Sequence, residues 1–510
     1  MSEEGFCFAY HVSSNSSTSQ RNSIRTRDVS SLTIKHCYDH LNHLNHPKPF
    51  EVCPERFSHL ALRTLFIYDN MSTRNPSPPP DYDGNAKQLD MIGDTTYSRR
   101  WLFSLLIKLL EKVNSETSAT WLSSDEDPSR KESETELEEQ LCCLWDLTVN
   151  RDVLKFLDEF EIVSIFNNAL GSVQNPRLLE IIVGILGNLA YDPLACRKMS
   201  ESESFIVRVI NLLYTRDTPA LIETCRLIQT VLASDEYRTP WLNEIRFQPE
   251  FFENMLFILK SSTNATLLIG TVRLIDVITR EDDSLAEVWC GEHLLTAILI
   301  AQHQMKWLYG SEVEIIHRLL YTFSSNVNGV SALVNSFSEV LPTFGVYLRK
   351  VCEDAPHLIH FVTYYNSLRA IIPIIDVVIA SLPCMDAMCC YLSDPHILPS
   401  LIHIACGCQK QKSELPLVRG ILADLNVLYK DIIKSISSCL ETMDDSNIAP
   451  LTTGELQWLA NLESDDQFGF REAFVNCCLN DGDSETKACL ISVCNRLKLP
   501  KILESVTTDG

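Results

Sequence analysis

The sequence predicts an all-α, armadillo/HEAT-like right-handed superhelical solenoid behind a disordered N-terminal region. Three observations carry that prediction. First, IVSIFNNALGSVQNPRLLEIIVGILGNLA (162–190) and FIVRVINLLYTRDTPALIETCRLIQTVLA (205–233) align at a constant offset of 43. The alignment pairs Leu170 with Leu213, Pro176 with Pro219, Glu180 with Glu223 and Leu189 with Leu232. Second, FFENMLFILKSSTNATLLIGTVRLIDVIT (251–279) follows as a third copy at an offset of 46. Third, apolar residues recur with helical spacing almost to the C-terminus, and no run alternates cleanly with period two. A period in the low-to-middle forties with two or three helices per unit is the armadillo/HEAT pattern. A single helical hairpin cannot bury its apolar face alone, so neighbouring units stack.

The elements follow in order. Residues 1–70 form an N-terminal extension, Ser/Thr/Asn-rich at first and largely disordered. Met71 opens MSTRNPSPPP and reads as the candidate initiator, which would make residues 1–70 an extension from an alternative start or a mistaken gene model. Residues 71–96 are a Pro-rich linker. YSRRWLFSLLIKLLEKV (97–113) carries a helical stripe through Trp101, Leu105, Leu109 and Val113. Residues 114–135 form an acidic linker, expected to be mobile up to about Glu134. Residues 136–440 hold the armadillo-like repeats. Each is a helix, a break of Pro, Asp, Asn or Ser that suits turns and N-caps, and a longer helix. Leu186 and Leu189 are expected to face the neighbouring repeat. Residues 451–508 read as two or three amphipathic capping helices containing Trp458, Phe470 and Phe474. Trp101 and Trp145 are expected to anchor the other end. The apolar stretch Ile371 to Leu392 is cut by Pro373, Asp376, Pro383 and Asp386, so it reads as a buried helix.

Composition bounds the function. The net charge is −24, while residues 1–70 carry seven Lys/Arg and seven Asp/Glu, so the acidic excess belongs to the rest. That argues against phosphate-backbone binding, and no nucleic acid is expected. It favours basic protein partners or solubility. The nineteen cysteines include no C-x-x-C and read as small buried hydrophobes in a reducing compartment. A basic n-region is absent from MSEEGFCFAYHV, so the chain is expected to be intracellular and to need no membrane.

GILGNLAYD (184–192) resembles the third helix of an armadillo repeat. In peptide-binding armadillo proteins the asparagine of that motif clamps the backbone of an extended peptide. Asn188 fits the motif and is the candidate partner-binding residue. The corresponding positions hold Val231 and Val277, so the asparagine ladder has one rung. Four further stretches resemble the serum amyloid A-like (SAAL) protein family: RNPSPPP (74–80), IGDTTYSRRWLFSLL (92–106), LWDLTVNRDVLKFLDEF (144–160) and PRLLEIIVGILGNLA (176–190). The resemblance covers residues 71 to about 235 and implies an armadillo-like nuclear protein linked to cell proliferation, without catalytic activity. Arg99-Arg100 is too short for a nuclear localisation signal, so the nuclear expectation rests on the resemblance.

Chemical motifs are weighed against plainer readings. His36, His40 and His43 share one helical face with Cys37 and His46 nearby, and such imidazoles can hold Zn²⁺ or Cu²⁺. A companion ligand pair is missing, and no metal or other cofactor is assigned. Cysteine pairs at 142–143, 389–390 and 477–478 point about 100° apart on a helix and chelate poorly. Phosphate-loop, dinucleotide, nucleophile-elbow and zincin motifs are all absent, so the chain is not expected to be an enzyme. Ser123 and Ser124 each have an acid three residues on, Glu126 and Asp127, and are candidate phosphorylation sites for acidophilic kinases. The expected function is a non-enzymatic interaction scaffold for a protein or extended peptide. The alternatives are an Hsp70 nucleotide-exchange regulator and a Cys/His-dependent enzyme.

Overall fold

The computed structural model describes residues 90–508 other than 94, 96, 119–127, 307–309, 354–360, 383–393, 395, 414, 445–447, 449, 450, 452, 453, 455, 465–468 and 481. The N-terminal extension with Met71, the His36/His40/His43 cluster, Ser123, Ser124 and the 389–390 cysteine pair lie outside the described residues.

An opening pair, α1 (Arg99–Ser118) and α2 (Pro128–Leu147), precedes a series of helical triads. The first is α3 (Arg151–Glu159), α4 (Ile162–Leu170) and α5 (Pro176–Leu189). Next come α6 (Pro193–Glu201), α7 (Glu203–Asn211) and α8 (Thr218–Leu232), with a 3-10 turn at Leu212–Tyr214. Then follow α9 (Arg238–Phe247), α10 (Pro249–Ser261) and α11 (Ala265–Glu281). The fourth is α12 (Asp283–Trp289), α13 (Glu292–Met305) and α14 (Ser311–Ser324). The fifth is α15 (Val327–Asn335), α16 (Phe337–Glu353) and α17 (Phe361–Ser381). After α18 (Ile397–Gln411) and α19 (Val418–Glu441), the chain ends in α20 (Gln457–Ser464), α21 (Phe470–Leu479), α22 (Ser484–Leu497) and α23 (Pro500–Thr508). Among the described residues, extended pairing is confined to one isolated antiparallel bridge, Met91–Ser98.

Local chemistry sets these boundaries. The polar breaks are N-caps: Asn150 accepts from the amides of Asp152 and Val153, Asn175 from Arg177 and Leu178, and Asp192 from Leu194 and Ala195. Asp217 and Asn264 cap α8 and α11 in the same way. Pro176, Pro193 and Pro249 stand in first helical turns, where their missing N–H has no partner to lose.

Packing turns the triads into a helical-repeat solenoid. The last helix of each unit lies on that of the next, giving one row: α2, α5, α8, α11, α14, α17, α19 and α22. Middle helices form a second line of contacts, α10 on α13, α16 on α18 and α18 on α21. The two enclose one continuous apolar core running from Ile92 to Val506. Leu186 and Leu189 are both buried in it. At the C-terminal end α23 packs on α20, α21 and α22, and Trp458 meets Phe474 edge-on with ring centroids 5.7 Å apart.

Two expectations need correction. Helix α1 runs on to Ser118 and α2 begins at Pro128, so helix occupies most of the stretch 114–135 read as acidic linker. Its Glu, Lys and Arg residues are good helix formers, and Leu141 and Leu144 fix the end of α2 in the core. The buried helix expected from Ile371 is present but begins earlier: α17 runs from Phe361 to Ser381, and residues 383–392 of the stretch lie outside the described residues. By length and composition α17 is apolar enough to cross a membrane, with a mean hydropathy of 1.3. Here it is packed between α14 and α19.

Close approach of α2 to α5 requires a glycine. A Cβ added at Gly184 would stand 2.1 Å from Cζ2 of Trp145. Gly184→Ala is expected to cost about 1–3 kcal/mol, the range for overpacking a filled core. Chemical denaturation checks this, and a variant as stable as the parent would mean that the indole moves freely.

Candidate functional site

The row of long helices carries a strip of charged and amide side chains that cross-link each helix to the next. On α5, Asn188 donates through Nδ2 to the Trp145 carbonyl at 3.1 Å and to Thr148 Oγ1 at 3.0 Å. Its Oδ1 accepts from Arg226 Nη1 on α8 at 3.0 Å. Arg226 also donates to the Gly184 carbonyl at 2.7 Å and to Glu223 at 2.6 Å. Gly187 makes room for this guanidinium: a Cβ there would lie 2.8 Å from Arg226 Cζ. Asn188 is therefore a strut between three helices, and to clamp a peptide it would have to give up these bonds. Val231, at the corresponding place in α8, is buried, and Val277 in α11 is half-buried.

The strip continues in both directions of charge. Gln229 on α8 donates to the Gly270 carbonyl on α11 at 2.9 Å. Asp276 of α11 is wholly buried and accepts from Arg318 of α14 at 3.0 Å and from Arg280 at 3.3 Å. Arg369 of α17 donates to the Gly420 carbonyl of α19 at 2.9 Å and pairs with Asp424. Arg226, Arg273, Arg318 and Arg369 stand on four successive helices of the row, 47, 45 and 51 residues apart. Arg273 is exposed and, among the described residues, makes no hydrogen bond, while Glu312 and Arg318 of α14 lie close enough to act on its charge. Sequence reasoning followed the asparagine column and missed this arginine column. The signal was present: the offset of 46 places Arg226 within one position of Arg273.

Past Arg369 the strip turns acidic. Asp376 lies two turns further along α17 and is 8% exposed. The charges that reach it are the carboxylates of Asp431 and Asp424, and burial together with them pushes its carboxyl well above the ordinary range. Burial also raises Asp424 to about 6, although Arg369 opposes the shift.

Other candidate chemistry is held in the core. Burial pushes the thiols of Cys196 and Cys352 up to about 11 and those of Cys225, Cys290, Cys477 and Cys494 up to about 12, so they stay protonated at neutral pH. Among the described residues no group of three His, Cys, Asp or Glu side chains is arranged to hold a metal ion. His317 of α14 is fully buried, both ring nitrogens lack a hydrogen bond, and it meets Tyr347 edge-on at 4.8 Å. Burial lowers its pKa to about 3.

Stacked three-helix units joined by a polar seam define a helical-repeat protein of armadillo type. The chain is similar to the SAAL family. Residues 251–498 match the SAAL1 C-terminal domain. Protein saal1 of Danio rerio is 33% identical over 300 residues, covering 55% of this chain and 62% of that protein. Protein SAAL1 of Homo sapiens is 36% identical over 221 residues, 42% of this chain and 46% of that protein. The chain thus matches less than two thirds of the length of these relatives. A crystal structure of an engineered protein aligns with 77% of this chain and 99% of its own at 15% identity and a TM-score of 0.35.

Two outcomes test the seam and the core. Arg318→Ala leaves the buried Asp276 with only Arg280, and is expected to destabilise by about 2–3 kcal/mol, below the full cost of an orphaned buried charge. Denaturant titration reads it, and a loss near zero would show the seam to be incidental. For His317, the unfolded ring takes up a proton below pH about 6.5 while the folded ring does so only near 3. Its contribution to stability is therefore intact above about 6.5 and falls as pH drops towards 3. Asp424, raised in the fold, acts in the opposite sense between its ordinary value and about 6. Between pH 7 and 5, His317→Leu should lose about 2 kcal/mol less stability than the parent, and equal losses would place the sensitivity elsewhere.

Proposed function

We propose that this chain is a non-enzymatic interaction scaffold that holds an extended segment of a partner protein along the row of long helices. One observation carries the reading: four successive helices present an arginine at equivalent places, three tied into neighbouring helices and Arg273 left open. A cation recurring from helix to helix suits recognition of a chain that runs across the helices, meeting its carbonyls or acidic side chains at a regular step. The protonated, buried thiols support the absence of catalysis. Nuclear residence and a link to proliferation, which the family resemblance implies, belong to the same proposal.

The test is affinity capture from separate nuclear and cytosolic fractions with the full chain, against an Arg273→Glu bait. A discrete set of nuclear proteins, depleted about five-fold or more by the substitution, is the expected result. The same proteins recovered equally by both baits would remove the row from the binding surface. Partners confined to the cytosolic fraction would refute the nuclear part alone.

A further inference from the structure

We propose that the cavity between α18, α19, α21 and α22 is a binding site for a small organic anion, a phosphate or carboxylate carried on a polar body. The site is separate from the arginine column, and its test does not depend on a peptide partner.

Packing near the C-terminus leaves the space. Helix α18 lies on α19 and α21, α19 lies on α21 and α22, and α21 touches α22. Between them is a cavity of about 500 Å³, inside the range of roughly 300–1,000 Å³ that small-molecule sites occupy. Lys412 and Gly482 line it and are exposed, so it opens to solvent.

Asn426 gives the cavity its depth of chemistry. It stands inside α19, is 7% exposed, and lines the cavity. Among the described residues its side chain makes no hydrogen bond. A polar group buried in this way is costly unless something bonds it. Two other amides in the lining are tied down: Gln409 donates to the Ala473 carbonyl at 3.0 Å and accepts from Asn476 Nδ2 at 3.4 Å. Asn426 keeps its donor and its acceptor for whatever enters.

The charges select an anion. Lys412, which follows α18, and Lys487 of α22 line the same cavity, and among the described residues neither ammonium has a hydrogen bond or an ion pair. Asp483, the carboxylate among the described lining residues, is already engaged. It caps α22 by accepting from the Glu485 amide at 3.0 Å, accepts from the Thr486 hydroxyl at 2.5 Å and pairs with Lys434 at 3.4 Å. Two unmatched positive charges are left at one space. The chain's charge of −24 repels anions from afar, but charges beyond about 8 Å are largely screened at physiological ionic strength, so the local ammonium groups decide. Phosphate and carboxylate oxygens are the strong acceptors for such donors. A bare phosphate would fill a small part of the cavity and leave Leu422, Leu479 and the Asn426 amide uncovered. The occupant therefore carries a body with an apolar face and a hydrogen-bonding edge.

Isothermal titration calorimetry on the full chain tests this. The probes are the organic anions AMP, glucose 6-phosphate, citrate and glutamate, with inorganic phosphate and uncharged adenosine and glucose beside them. At least one organic anion should bind with a dissociation constant below about 1 mM, and inorganic phosphate, adenosine and glucose at least about ten-fold more weakly. Lys412→Ala combined with Lys487→Ala should weaken that anion about ten-fold or more. Asn426→Leu should weaken it about three-fold or more. It exchanges an amide without a partner for an apolar side chain of similar volume, so it should melt no lower than the parent. A clearly lower melting temperature would assign the amide to the fold and remove it from the site, leaving the lysine pair to decide. Inorganic phosphate binding as tightly as the organic anions would mean an adventitious ion only. Equal binding of adenosine or glucose would refute the selection for charge. Binding unchanged in the double lysine variant, or none by any of the four organic anions, would overturn the site.

Discussion

Each helix of this protein has more apolar surface than its own unit can cover, and the contact of one long helix with the next resolves that excess. Between α2 and α22 every member of the row is both covered by its predecessor and cover for its successor. Stability is therefore shared along the chain, and no repeat is complete alone. The requirement also sets the small residues. Gly184 lets the Trp145 indole reach the α5 backbone, and Gly187 admits the Arg226 guanidinium. Bulk at either place would push two helices apart and disturb the seam beyond them.

The polar strip is a second consequence of the same stacking. Where two long helices meet at the edge of the core, side chains must either reach water or satisfy one another. Asn188, Arg226, Gln229, Arg318 and Arg369 do the latter, reaching carbonyls or carboxylates about one repeat away in sequence. Such bonds register one helix against the next, which apolar packing alone does loosely. Asp376 differs: it is buried on α17, its Oδ1 makes no hydrogen bond, and burial with the nearby carboxylates pushes its carboxyl well above the ordinary range.

Much of the fold was legible because its causes are local and periodic. The offset of 43 reported the unit, the Asn and Asp breaks reported N-caps, and the leucine spacing reported buried faces, all confirmed in α3 to α11. The candidate site was less legible. Asn188 matched a motif, yet motif matching does not reveal that Trp145, Thr148 and Arg226 take up its amide. Asp376 showed in the sequence only as an interruption of an apolar run.

The sequence by itself determined the all-helical repeat, the acidic charge and the resemblance to the SAAL family, because periodicity, composition and short motifs are properties of the chain order. Tertiary structure alone decided which charges are matched. Arg318 and Asp276 are 42 residues apart, and Arg369 and Asp424 are 55 apart. The first is close to one repeat offset, but the second is not, and neither offset by itself says which side chains meet. They depend on how far one helix slides along its neighbour, which is set by side-chain packing in the shared core and not by any one unit.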